Sequence, residues 1–164
     1  MKKIISFVIA SCVALSLAAC GGVNLDRTVF LSNGFTFKVS SSWEEETFED
    51  IEDGYRFVTD AGNFLVFTLN NKDPYEIQRI NLNGMRESAY FSNITEMPAK
   101  ESTIDRAFQV VFEITYTHSN FGDYRAISVY TVRDNTTVIL SYSAPIDEFN
   151  RSYFDSVRKS ILWP

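Results

Sequence analysis

The chain has 164 residues, with 21 acids against 15 Lys and Arg, one His and a formal charge of −6. That length suits one ordinary domain with a real core, and the acidic balance leaves no electrostatic footprint for nucleic acid and argues against adhesion to anionic lipid through the protein surface. One His and two Cys, of which Cys12 lies inside an apolar leader, nearly exclude a zinc site and any Ser/His or Cys/His triad.

Lys2 and Lys3 precede an uncharged apolar run from Ile4 to Leu17, the positive and hydrophobic regions of an export signal. The run is too short to span a bilayer, which takes about 20 apolar residues, and Gly21 and Gly22 follow it instead of a stop-transfer flank. Leu17, Ala18 and Ala19 leading into Cys20 resemble the lipobox of bacterial lipoproteins. That resemblance implies removal of residues 1–19, recognition of Leu17, Ala18 and Ala19 by the signal peptidase, and a diacylglycerol on the Cys20 thiol. Small side chains let a peptidase approach the backbone, and each buried CH₂ of the lipid contributes about 0.8 kcal/mol. The alternative is an ordinary secretory signal with a chance cysteine. Without Lys2 and Lys3 the mature chain keeps 13 bases against 21 acids, a charge of −8. It also keeps one cysteine, so no internal disulfide forms.

Residues 20–27 read as a lipidated tether, whose seven residues after Cys20 reach about 15 Å as flexible coil. Residues 28–164 read as a single domain. Thr28 to Leu31 and the alternating Phe35, Phe37 and Val39 are two extended segments joined by Asn33-Gly34. The stretch 40–54, "SSSWEEETFEDIEDG", reads as an acidic loop. Tyr55 to Thr59 and Phe64 to Leu69 read as strands separated by "DAGN", where Gly62 and Asn63 suit positive φ, so the region is a three-strand meander.

The period then changes. Asp73, Pro74 and Glu76 form a capping box at the start of a helix, with Ile77, Ile80, Leu82, Gly84, Met85 and Ala89 on its apolar side and an end near Tyr90. From Ile94 alternation returns: Phe108, Val110, Phe112, Ile114 and Tyr116 share one face, and Val111, Glu113, Thr115 and Thr117 the other. "HSNFGD" (118–123) turns the chain into Tyr124 to Val132, and "RDNT" (133–136) turns it into Thr137 to Ser143 as antiparallel neighbours. After Pro145, Ile146, Phe149, Tyr153, Phe154, Val157 and Ile161 repeat at helical spacing, with Asp147 and Glu148 assigned to the first turn and Arg158 and Lys159 to the last. The class is α+β, and the two helices are compatible with opposite faces of a sheet or with a shared one.

"FTFKVSSSW" (35–43), with Phe35, Phe37, Val39 and Trp43, resembles the opening of the PsbP-like superfamily, and "FDSVRKSILW" (154–163) is similar to its final helix. Ser40 stands where the family usually has proline. The resemblance, which follows element order across 28–163, implies a central antiparallel β-sheet flanked by two helices, an α/β/α sandwich. Members include photosystem extrinsic proteins, a Ran-binding nuclear import factor and DcrB-like bacterial lipoproteins, so it also implies a binding or assembly accessory with no catalytic set and no cofactor.

Of the remaining candidates, His118 reads as a turn residue. Glu44, Glu45, Glu46, Glu49, Asp50, Glu52 and Asp53 are the densest charge cluster. Hard cations want six or more oxygen ligands, which makes Glu49, Asp50, Glu52 and Asp53 metal candidates, although the spacing does not match an EF-hand and a solvated loop is the favoured reading. Trp43 reads as a lid on the core. Tyr90 and Phe91, if exposed together, mark a contact site. The functional expectation is a non-enzymatic binding or assembly module, lipid-anchored through Cys20 and facing outside the cytoplasm, with an envelope protein as partner. The alternatives are binding of a small ligand or divalent cation, and a hydrolase using a carboxylate pair.

Overall fold

The computed structural model describes residues 23–163 except 50, 52 and 105. The expected signal peptide with Leu17, Ala18 and Ala19, and the expected lipidation site Cys20, lie outside the described residues, as do Asp50 and Glu52 of the acidic cluster. In chain order the elements are β1 (Arg27–Phe30), β2 (Thr36–Val39), β3 (Glu44–Thr47), β4 (Tyr55–Val58), β5 (Asn63–Asn70), α1 (Pro74–Glu87), β6 (Phe91–Glu96), β7 (Lys100–Ile104), β8 (Ala107–His118), β9 (Gly122–Arg133), β10 (Thr136–Pro145) and α2 (Arg151–Lys159). Strands β1 and β2 form a separate two-stranded ribbon. The other eight make one sheet in the order β3-β4-β5-β10-β9-β8-β6, with β7 also on β8, and every pairing is antiparallel.

Local chemistry explains the hairpins. Gly34 takes φ 82° at the ribbon turn, a left-handed position that a Cβ disfavours, and Leu31 N–H donates to the Phe35 carbonyl at 2.9 Å. Asp134 and Asn135, at φ 48° and 66°, are the two central residues between β9 and β10. Positive φ at both positions gives the turn whose twist matches a strand pair, and Asp and Asn tolerate it.

Strand alternation divides the core. On one face, Phe57, Phe64, Val66, Val129 and Leu140 pack with the ribbon's Phe35, Phe37 and Val39 and with Phe154 and Val157 of α2. On the other, Val110, Phe112, Tyr130 and Ile139 pack with Ile77 of α1. Burial of each such side chain is worth about 1.5–3 kcal/mol, which makes the first face the main store of stability. Trp43 lies in that first cluster, stacked on Phe64 at 5.2 Å. The ribbon closes this face as much as α2 does, so sheet dominates the molecule over helix.

Several sequence expectations change. The acidic stretch 40–54 is not all loop, because Glu44–Thr47 is the edge strand β3, pairing with β4 in the register Glu46↔Arg56. The meander is therefore β3-β4-β5, and the ribbon stands apart. Gly62 is not among the residues with positive φ. It is needed for space, since a Cβ there would fall 2.2 Å from the Ser143 carbonyl oxygen. Helix α2 begins later than the sequence suggests: Pro145 ends β10, Asn150 caps the helix by accepting from Ser152 N–H at 3.0 Å, and no acid occupies the first turn. Helix α1 stops at Glu87, capped by Ser88, short of Tyr90.

Candidate functional site

Helix α1 has 14 residues, about 21 Å at 1.5 Å per residue, whereas β8 and β9 have 12 each, about 40 Å at 3.4 Å per residue. One short helix cannot cover that face. The Asp73 carboxylate fixes its start by accepting from Glu76 N–H at 2.9 Å, and Pro74, Ile77 and Leu82 are buried. The Tyr130 hydroxyl donates to Gln78 Oε1 at 2.9 Å and accepts from Asn81 Nδ2 at 3.4 Å, pinning the helix to β9. Burial pushes the Tyr130 phenol up to about 12, so it stays protonated.

Past Tyr130 the sheet is open. The register sets Ser141 beside Ser128 and Ser143 beside Ala126, so two central strands present four small side chains in a block. Larger residues flank it: Leu65 pairs with Ser141 on one side, and Ala126 pairs with Ile114 on the other. The result is a trough of about 640 Å³ between the sheet and the Ile80, Gly84 and Met85 side of α1. The Ser128 and Ser141 hydroxyls hydrogen-bond each other. A second cavity of about 360 Å³ shares Phe91, Tyr116 and Ser143 with the trough and adds Arg56, Asn63, His118, Phe121 and Tyr124. At its rim the Arg56 Nε and Nη2 donate to Asn63 Oδ1 at 3.2 and 3.0 Å, and Nη1 pairs with Glu46 at 3.0 Å.

The rings at this end form a connected set. His118 stacks with Tyr90 at 6.0 Å, meets Phe91 edge-on at 5.3 Å and lies 4.7 Å from Phe121. Tyr116 stacks on Tyr124 at 5.7 Å, and burial pushes its phenol up to about 12. Tyr90 is 58% exposed and Phe121 68%. His118 does end a strand before a turn, as read from the sequence, and it also sits at the centre of the ring set.

The described acidic candidates, Glu49 and Asp53, are not gathered into a site. Glu49 is exposed, while the Asp53 carboxylate accepts from Ser32 N–H and Oγ at 2.9 and 2.8 Å and from Thr68 Oγ1 at 3.2 Å, tying the ribbon turn to β5. Among the described residues no three of His, Cys, Asp and Glu are placed to hold a metal, and no helix there is long and apolar enough to cross a membrane. Glu113 is ion-paired on two sides. Burial alone would raise its carboxyl, but hydrogen bonds from Arg125 (Nε at 2.6 Å) and Arg151 (Nη1 at 2.9 Å) outweigh that and hold it below the ordinary value.

Sequence reasoning missed the trough. Its signal was present, since Ala126, Ser128, Ser141 and Ser143 stand at alternate positions and the two-residue turn at 134–135 fixes which of them face each other. Tyr90 and Phe91 were noticed, but not their grouping with Phe121 and His118.

No family model and no curated protein matches the chain. Solved structures do. The solution structure of cyanobacterial PsbP (CyanoP) from Synechocystis sp. PCC 6803 superposes with a TM-score of 0.66 at 14% identity, over 89% of this chain and 98% of that one. A crystal structure of a protein from Bacteroides thetaiotaomicron VPI-5482 gives 0.52 at 18% identity, over 79% of this chain and 45% of that one. A likeness that takes in nearly all of CyanoP at such low identity is one of architecture, and the antiparallel sheet with two helices assembled above from its residues has the fold of PsbP.

Proposed function

We propose that this protein is a lipid-anchored accessory of the bacterial cell envelope, held by Cys20 and facing outside the cytoplasm, whose PsbP-like domain binds another envelope protein and performs no reaction. The observation that carries the reading is the exposed aromatic end of the sheet, where Tyr90 and Phe121 stand 58% and 68% open to solvent beside Phe91 and His118. Large rings held rigidly at the surface lose little entropy on contact and supply most of the energy at protein interfaces. The likeness to PsbP supports an accessory role in general, and the α/β/α sandwich, with α1 and α2 on opposite faces, gives such a surface a stiff backing. The anchor rests on the "LAAC" sequence at 17–20. A non-catalytic role is favoured by the way the acids are committed: Glu113 is clamped by two guanidiniums and Asp53 by two hydroxyls and a backbone N–H.

A photoreactive amino acid placed at Phe121 in the full chain, irradiated in cells and followed by mass spectrometry of membrane extracts, tests the contact. One abundant envelope protein is expected, and Tyr90→Ala should lower its yield roughly tenfold. Recovery of many proteins in equal amounts refutes the reading. The anchor has its own check: Cys20→Ala should abolish acyl incorporation and leave the precursor uncleaved or released, and unchanged membrane retention would sink that half.

A further inference from the structure

We propose that the trough between α1 and the sheet binds the hydrocarbon chain of a long-chain fatty acid, with its carboxylate at Arg56 and Asn63. The proposal needs neither the anchor nor the protein partner, so it stands or falls separately from them.

Shape selects the occupant. The floor is only two strands wide, β9 and β10, so the depression between the flanking Leu65 and Ile114 rows is narrow at its base. The walls stand three strand spacings apart, about 14 Å between backbones, and their own side chains together with the overhang of α1 leave less than the roughly 10 Å that another helix with its side chains takes, which suits a hydrocarbon chain. An extended peptide fits no better. It would lie on the face of the sheet, not along an edge, where no backbone groups are available to pair with its own N–H and C=O.

Polarity selects it too. The Ser128 and Ser141 hydroxyls at the floor share one hydrogen bond, which leaves a single O–H of the pair to spare, and the Tyr130 hydroxyl at the closed end is occupied by Gln78 and Asn81. An apolar chain therefore desolvates only that one O–H, and burying it against Ile139, Ile114 and Met85 is favourable. At the other end the shared residues Phe91, Tyr116 and Ser143 lead into the second cavity. In a chain with 21 acids, neither lining includes a carboxylate, and the one charged group is Arg56. Guanidinium has five N–H donors, and Arg56 directs three of its nitrogens at Asn63 and Glu46. Both Nη groups keep a second N–H for a carboxylate at the cavity.

Gly84 provides a clean test. It lines the trough, and a Cβ added there meets nothing within 4 Å, so a large side chain fills the space without entering the core and with better helix propensity than glycine. The full-length protein in phosphatidylcholine nanodiscs is irradiated with a diazirine-bearing palmitic acid, digested and mapped by mass spectrometry. Label is expected on segments 80–91, 112–116 and 126–143, removable by unlabelled palmitate. Gly84→Trp should reduce it roughly tenfold with a melting temperature no lower than the parent's, Gly84→Ala should leave it intact, and Arg56→Gln should weaken palmitate competition several-fold. Labelling scattered over the surface, or untouched by Gly84→Trp, overturns the site. Competition by lysophosphatidylglycerol but not by palmitate overturns the fatty-acid assignment. A photoreactive residue at 84 that captures a second copy or another protein chain overturns it as well.

Discussion

Glu113 shows how one charge can hold two elements. Its side chain is only 10% exposed, between Arg125 of β9 and Arg151 in the first turn of α2, and Arg125 also lies 5.0 Å over the Phe149 ring. Because the two guanidiniums hold the carboxyl below its ordinary value of 4.5, the folded protein releases this proton more readily than the unfolded chain. The stabilisation is therefore fully present above the unfolded value and is lost as pH falls through the depressed folded one. Glu113→Gln should lower stability at neutral pH by about 1.5–3 kcal/mol, and the difference from the parent should shrink on acidification below pH 4.5. Urea unfolding of both proteins at stepped pH measures it, and a gap that stays constant with pH would contradict the mechanism. Gly62 makes a steric counterpart. A methyl group there meets the β10 backbone at Ser143 and Ala144, so Gly62→Ala should cost about 1–3 kcal/mol in the same assay.

At the level of elements, α1 is pinned by its first turns, and its later turns overhang the trough. Gly84 sits in the overhang with open space around it, so Gly84→Ala should raise stability by about 1 kcal/mol through propensity alone. A thermal melt that does not move upward would mean that this half of the helix is not helical in solution. The start of α1 was legible because Asp73, Pro74 and Glu76 each have one strong local reason to be there. The β9–β10 hairpin was legible for a similar reason at "RDNT". Strand β3 was not, because three glutamates in a row carry no alternation. Its pairing is decided by the neighbouring β4, with Arg27–Glu45 at 2.7 Å and Arg56–Glu46 at 3.0 Å offsetting some of the charge, and exposed acids on an edge discourage a further strand from adding. Asp147 and Glu148 looked like dipole partners of α2, yet the turn after β10 takes them and Asn150 supplies the cap. The trough was hidden because an apolar pattern reports which residues face the core, and says nothing of where a helix fails to reach.

Across the whole molecule, the pairing of β5 with β10 joins segments on either side of α1 and the long strands, with Asn70 opposite Thr136 and Asn63 opposite Ser143. No local signal announces such a contact. This is why the sequence left open whether the helices share a face, and why resemblance in element order was the better guide to architecture. The first and last described segments are placed by equally distant contacts. Thr36 and Leu162 exchange two backbone hydrogen bonds of 2.9 Å, and Ser160 Oγ accepts from Lys38 N–H at 2.8 Å. Arg27 pairs with Val39 on the other side of the same strand, three residues along from Thr36, so Arg27 and Leu162 lie two strand spacings across and three residues along, roughly 14 Å apart. Val23, Leu25 and Trp163 all pack on the α2 face, opposite the trough. The consequence is that the order in which this fold is written is nearly arbitrary. A circular permutant with the ends joined by a short glycine linker and new termini between Pro98 and Ala99, in an exposed stretch, should melt as one cooperative unit close to the parent temperature. Such a molecule would carry its breakpoint on the far side of the sheet order from the ribbon, and could be spliced into a host loop with the aromatic end and the trough both still facing solvent.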